Sequence, residues 1–420
     1  MGGKTISEKI FSKNSGKDVK SGDIVIANLD YMMGHDGSFP LTIEVMKEMG
    51  REVPFDPKKV GIVIDHYTPS PNENVSLLHS MMRDYSLKYG CNLFETGKGI
   101  CHQIIPESGH ILPGDLVIGG DSHTCTYGAM NIFATGVGST ELAAAIVTGK
   151  LWFKVPQTIK VNIVGKLPSN VYSKDIILHI IGHFKSDGAN YKAVEFHGDV
   201  IEDLSMDARF TISNMAVEMG AKAGLMNCDN KTKEWLKEKT QRSYHPISAD
   251  NDAIYEKVVE FDISKLEPII SIPHNVDNSV SVAEVEGLPI QQANIGSCTN
   301  GRFEDLKIAA DILKGKTVHP NVRLFITPAS RSIYYECLKN GIIEIFTEAG
   351  ATVIPPSCGW CCGTCNGIPS NGENVLATSN RNFKGRMGNN KANVYLASPA
   401  TVAISSITGK ITDPRRWEGV

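Results

Sequence analysis

Short uncharged runs alternate with amphipathic stretches along most of the chain. Residues 60–66, VGIVIDH, are β-branched and bounded by turn formers, which predicts a buried strand. Residues 115–121, DLVIGGD, predict a second one that runs into a glycine-rich turn. Residues 158–167, TIKVNIVGKL, alternate as a half-buried strand does. Between these lie stretches with helical spacing. Residues 72–90, NENVSLLHSMMRDYSLKYG, end on a glycine stop. Residues 139–155, STELAAAIVTGKLWFKV, open on Ser-Thr with an acidic first turn and predict one helix. Residues 174–186, KDIILHIIGHFKS, predict another, as do FEDLKIAADILKG and RSIYYECLKNG, while NVRLFITPAS and ATVIPPS are strand-then-loop units. This alternation predicts an α/β protein with several sheets. A boundary is expected at VPQ (155–157), and the polar, loop-like stretch 225–290 is expected to join a middle unit to a last one. The expected division is therefore 1–157, 158–285 and 286–420.

Composition narrows the class. The 420 residues hold 42 basic and 46 acidic side chains, a net charge of −4, which disfavours a dedicated nucleic-acid or membrane-surface binder. No apolar run reaches the length of about 18 residues that a membrane span needs. The opening MGGKTISEKIFSKNSGK has no apolar core after its charges, so a secretory signal is not expected and the cytoplasm is. The ten cysteines are then expected to be reduced thiols.

Four of those thiols, Cys358, Cys361, Cys362 and Cys365, fall within SCGWCCGTCNG. The segment holds two C-x-x-C spacings, 358/361 and 362/365, and either can aim two sulfurs at a zinc ion, an iron–sulfur cluster or a redox disulfide. A zinc knuckle needs a second pair nearby, and none stands there. A second loop, IGSCTNGR, carries Cys298 among small hydrogen-bonding residues that can orient a ligand. Three thiolates from two loops would leave one position of a cluster open, which is the mark of a catalytic metal. Asp–His pairs recur at the ends of predicted strands: His35–Asp36, Asp65–His66, and Asp121 with His123, with His102 nearby in GICHQI. Such ends face the usual ligand crevice of α/β sheets, and a carboxylate beside an imidazole favours a proton donor. Arg381 and Arg386, in SNRNFKGRMGN, suit carboxylates of a small acid. His179 and His183 lie four apart on a helix but lack the glutamate of a zinc protease motif, and read as helix-face residues.

The motifs VIDHYTP, GICHQI, GGDSHT, SNMAVEMGA, IGSCTNGR, CGWC, NRNFKGR and YLASPATVAISSITGKITDP follow one another in the order of the aconitase family. The chain resembles that family over nearly its whole length, and within it the large subunits acting on 3-isopropylmalate or homoaconitate. The resemblance implies three α/β domains of the aconitase type around one [4Fe–4S] cluster, without the family's swivelling fourth domain. It implies Cys298, Cys358 and Cys361 as ligands, with one iron free to bind substrate. Gly359 and the preceding Pro-Pro-Ser match the family loop and favour the 358/361 pair, while Cys362 and Cys365 depart from it. It further implies Asp65, His66, His102, Asp121, His123 and Glu218 as catalytic residues. His35, Asn214, Asn300, Arg381 and Arg386 would bind substrate. His66 would protonate the departing hydroxyl, and Asp121 and Glu218 would orient His102 and His123.

The family's base is a serine on the swivelling domain, and no segment here resembles that domain. The expected partner is thus a separate small subunit that brings the serine base and the specificity loop into a hetero-oligomer. The expected reaction is isomerisation of a 2-hydroxy di- or tricarboxylate by dehydration and rehydration. 3-Isopropylmalate leads as substrate, ahead of homoaconitate and methyl- or dimethylmalate. The rival of a different class is a zinc or dithiol redox protein.

Overall fold

The strands Val60–Val63 and Leu116–Gly119 are buried at every position, as central strands of a parallel sheet covered on both faces should be. They belong to a five-stranded parallel sheet in the computed structural model, which describes residues 2–417. Its order is Asn92–Phe94, Val60–Val63, Tyr31–His35, Leu116–Gly119 and Phe133–Gly136. The helix Glu73–Tyr89 crosses between the strands ending at Val63 and beginning at Asn92. Asn72 caps its first turn by accepting from the Val75 amide at 3.1 Å, and Gly90 ends it in the left-handed region at φ 76°.

The stretch 139–155 is not one helix. Helix Ser139–Thr148 stops at Gly149, whose φ of 71° suits glycine, and Lys150–Lys154 forms a strand. That strand pairs antiparallel with Ile24–Asn28, and both alternate buried and exposed residues. The alternation KLWFK carries the strand signal, and the apolar helix before it masks the change of period.

A second, four-stranded parallel sheet runs Ala223–Leu225, Ala193–His197, Thr158–Val164, Lys257–Asp262. The polar stretch 225–290 therefore holds more structure than a loop. Lys257–Asp262 is an edge strand with mostly exposed side chains, which is why it reads as polar. Helix Asn230–Lys237 and the antiparallel strands Ile269–Ser271 and Ser279–Ser281 also lie there. Those two strands join a third sheet of seven, ordered Ser279–Ser281, Ile269–Ser271, Asn393–Leu396, Asn374–Ala377, Gln292–Gly296, Arg323–Thr327, Thr352–Val353.

The first and second sheets share one apolar core, which reaches from Tyr31 and Val117 through Ile177 and Phe210 to Cys298. The third sheet has its own core, and Cys358, Trp360 and Cys361 sit in a smaller one against its strands. Among the described residues, no helix is long and apolar enough to cross a membrane.

Candidate active site

The C-terminal ends of the first sheet deliver the expected Asp–His residues to one place. Asp65 and His66 follow the strand ending at Val63, both buried. His66 Nδ1 lies 2.7 Å from Asp65 Oδ1. The other Asp65 oxygen accepts from the Cys101 amide at 2.7 Å, and the Asp65 carbonyl accepts from the Cys358 amide at 2.8 Å. His35 ends its own strand and stacks on His66, with ring centroids 3.7 Å apart. Asp36 accepts from the amides of His66 and Tyr67, both at 2.9 Å, and lies 3.0 Å from His79 Nε2. Asp36 and His79 thus fix the His66 loop. Sequence reasoning noticed Asp36 only as a neighbour of His35 and missed His79, which looks like any helical residue.

Asp121 is the hub of the histidines. Its Oδ1 lies 2.7 Å from His102 Nε2 and accepts from the His123 amide at 2.7 Å. Its Oδ2 is 3.5 Å from His66 Nε2 and 3.6 Å from His35 Nε2. Glu218 lies 2.8 Å from His123 Nε2 and accepts from Arg381 Nε at 2.8 and 3.1 Å. Burial works to protonate both carboxylates. His102, His123 and His66 nonetheless hold Asp121 well below the carboxylate range, and His123 with Arg381 holds Glu218 below it. For His66, burial favours the neutral ring, but Asp65 and Asp121 override it and raise its pKa well above the usual value. For His102 burial wins over Asp121 and lowers the pKa. The two imidazoles are thus pushed in opposite directions, a separation that acid–base chemistry uses.

The thiols approach from the third sheet. Cys298 sits in the helical turn Ser297–Asn300 after the strand ending at Gly296, where Ser297 takes a φ of 69°. Cys358 precedes the turn Gly359–Cys362, and the Cys361 amide donates back to the Cys358 carbonyl at 2.9 Å. Asn380 joins the two loops. Its Nδ2 is 3.4 Å from Cys298 Sγ and its Oδ1 is 3.6 Å from Cys361 Sγ. Arg386 donates to Cys361 Sγ at 3.6 Å. Asn214 does not stand free for a ligand: its Nδ2 donates to Cys298 Sγ at 3.3 Å and to Thr126 Oγ1 at 2.8 Å. Asn300 is likewise engaged, its Nδ2 donating to Asp305 at 2.9 Å, while its buried Oδ1 has no partner. Cys365 stands apart, its Sγ 3.7 Å from the Thr68 carbonyl, whereas Cys362 lies within the site, its thiol paired with that of Cys358 and its Sγ 3.8 Å from the His66 carbonyl. His179 and His183 lie outside the site, edge-on to Phe261.

His35, Asp36, Asp65 and His66, and separately His102, Asp121 and His123, bring their ligand atoms within 4.8 Å of one another, whereas among the described residues the cysteine sulfurs form no such tight group. Cys298, Cys358 and Cys361 are nevertheless all buried, and the amides of Asn214 and Asn380 with Arg386 supply the hydrogen bonds that thiolate ligands attract. His102 Nδ1 and Arg386 Nε are buried without partners beside this space.

Known proteins place the chain. The profile of the Aconitase family (aconitate hydratase) matches residues 8–287 and 281–409. The 3-isopropylmalate dehydratase large subunit 1 of Thermotoga maritima is 52% identical over 419 residues, covering 99% of this chain and 100% of that protein. The large subunit 1 from Methanopyrus kandleri is 49% identical over 416 residues, with 99% and 100% covered. That of Pyrococcus furiosus is 48% identical over 419 residues, with 99% of each covered. Among solved structures, holo-form aconitase X of Thermococcus kodakaraensis matches 84% of each chain at 14% identity, with a TM-score of 0.49. The family profile spans most of the sequence, and these relatives align with it from end to end. The chain belongs to the aconitase family.

Proposed function

We propose that the chain is the catalytic large subunit of a 3-isopropylmalate dehydratase, a hydro-lyase that moves a hydroxyl to the neighbouring carbon through an alkene. The observation that carries this reading is the meeting of two cysteine loops at Asn380, beside the imidazoles gathered around Asp121. The near-half identity to large subunits of that name supports it.

In this reading Cys298, Cys358 and Cys361 hold a [4Fe–4S] cluster with one iron not ligated by protein. When bound, the cluster supplies a Lewis acid for the substrate hydroxyl and a neighbouring carboxylate. The remaining work falls to side chains. Arg381 keeps its two terminal nitrogens free of protein partners among the described residues, because only Nε is used on Glu218. It and Arg386 hold substrate carboxylates, so that the hydroxyl is placed before chemistry begins. His66, doubly protonated against Asp65, delivers a proton from Nε2 to the leaving hydroxyl, and water departs. The proton on the adjacent carbon goes to a serine of a separate small subunit as the double bond forms. Readdition of water at the other carbon runs the same steps in reverse. His35, His102, His123, Asp121, Glu218, Asn214 and Asn300 shape the pocket and fix the tautomers. The division 1–157, 158–285 and 286–420, a hetero-oligomeric state and a cytoplasmic location belong to the same proposal.

The test is reconstitution. Purified anaerobically, the chain should be brown and almost inactive on 3-isopropylmalate, and a co-expressed small subunit should restore turnover. Homoaconitate and methylmalates assayed alongside would locate the substrate. A colourless chain with one tight zinc, or full activity without the partner, would overturn the reading.

A further inference from the structure

Lys174 is completely buried in the second residue of the helix Ser173–Phe184. That is an unfavourable place for a cation. The N-terminal end of a helix carries partial positive charge, and burial removes the water that would otherwise solvate an ammonium. Among the described residues, no carboxylate lies within the 4.0 Å of an ion pair with its Nζ. The adjacent Asp175 is occupied elsewhere, its two oxygens accepting from the amides of Tyr172 and Ile269, both at 2.8 Å. Lys174 instead donates to the carbonyls of Thr378 at 2.8 Å and Ser379 at 2.6 Å. These residues follow the strand Asn374–Ala377 and immediately precede Asn380, whose side chain touches the sulfurs of Cys298 and Cys361. Two neutral carbonyls solvate an ammonium but do not neutralise it.

Resting on the reading of the thiols as cluster ligands, we propose that Lys174 is a buried counter-cation of the thiolate–cluster assembly, second to Arg386, which touches Cys361 directly. A cluster held by three thiolates is anionic, and Lys174 approaches it through the backbone that carries Asn380. Burial pulls the Lys174 ammonium down to about 7, and the leading influences opposing that are Cys361 and Cys298, which agrees with the placement. The arrangement gives a reason for a lysine at a place where an apolar residue would fill the same space. Its cost is offset only when the anion is in place.

Two substitutions separate charge from hydrogen bonding. Lys174→Met removes both, and Lys174→Gln keeps a donor for the Thr378 and Ser379 carbonyls but no charge. Melting of apo and cluster-loaded protein is compared, and the cluster potential is measured by dithionite titration with mediators. Apo K174M is expected to melt above apo wild type, while its gain in Tm on loading is smaller. Both variants are expected to shift the potential to more negative values and to lose iron to a chelator about tenfold or more faster. If K174Q keeps the wild-type potential, Lys174 is only a clamp for the 378–379 backbone and the proposal fails. Should K174M not fold, K174Q decides alone. A wild-type chain that takes up no iron and sulfide defeats the reading of the site and this proposal together. A loaded wild type with an unmoved potential in K174Q defeats the role of Lys174 alone.

Discussion

Glu218 and Arg381 are joined by a contact in which one Nε donates to both carboxylate oxygens, at 2.8 and 3.1 Å, while the same carboxylate holds His123. One side chain thus holds both Arg381 and the His123 imidazole, which in the proposed mechanism serve substrate binding and proton handling. Glu218→Gln keeps the shape and removes the charge that both partners need. It is expected to lower kcat/KM about 10–100-fold with iron content unchanged. Steady-state kinetics beside an iron assay on the reconstituted enzyme checks this, and unaltered kinetics would remove Glu218 from the site.

Arg381→Lys keeps the charge but loses the planar fork. A lysine cannot bond Glu218 and reach a substrate carboxylate in two directions at once. KM is expected to rise about tenfold or more, the order of one lost charge-assisted hydrogen bond of about 1.5–3 kcal/mol. The visible spectrum should not change. A fall in kcat at constant KM would contradict the clamp.

The pH profile tests His66. Its pKa is raised in the folded protein, so the donor form is complete below the ordinary histidine pKa of about 6.5 and is lost as pH rises through the folded value. The stability that the Asp65–His66 pair contributes follows the same course, present at low pH and lost on the alkaline side. Asp65→Asn removes the charge that raises the pKa. The alkaline limb of kcat/KM should move to lower pH, and a limb that stays in place would assign the proton donor to another group.

Cys298 and Cys365 differ in their surroundings. Cys298→Ser removes a sulfur bonded by both Asn214 and Asn380, whereas Cys365→Ser removes one that contacts Thr68. The first variant is expected to lose iron and sulfide with the brown colour, and the second to retain both. Iron and sulfide determinations per chain decide this. Loss of the cluster in C365S would move the ligand set to the 362/365 pair.

Much of this site was legible in the sequence because each part is local. Asp65–His66, Asp121 with His123, and the two cysteine loops are short segments at strand ends, where residue type and position together announce chemistry. The helix Glu73–Tyr89 was equally legible, since Asn72 and Gly90 mark its ends. What was hidden depends on partners far away in the chain. Lys174 reads as a surface lysine at a helix start until the Thr378 and Ser379 carbonyls are seen against it. Arg302 reads as a loop arginine, yet it is buried over Phe210, with Nε on Gln103 at 2.8 Å. Asn380 sits inside a motif singled out for its arginines, while its own contact with two sulfurs is set by tertiary packing. The strand Lys150–Lys154 was missed for another reason, a change of period without a polar break.

The bond from the Cys358 amide to the Asp65 carbonyl also constrains when the centre can mature. Asp65 emerges early in synthesis and the cysteine loops emerge late, so this contact joins an early segment to a late one. Before the cysteine loops dock, the Cys298 thiol lacks its bonds from Asn214 and Asn380, and the Cys358 backbone is not yet anchored to Asp65. In the proposed reading, the full ligand set therefore exists only once these distant parts of the chain have met.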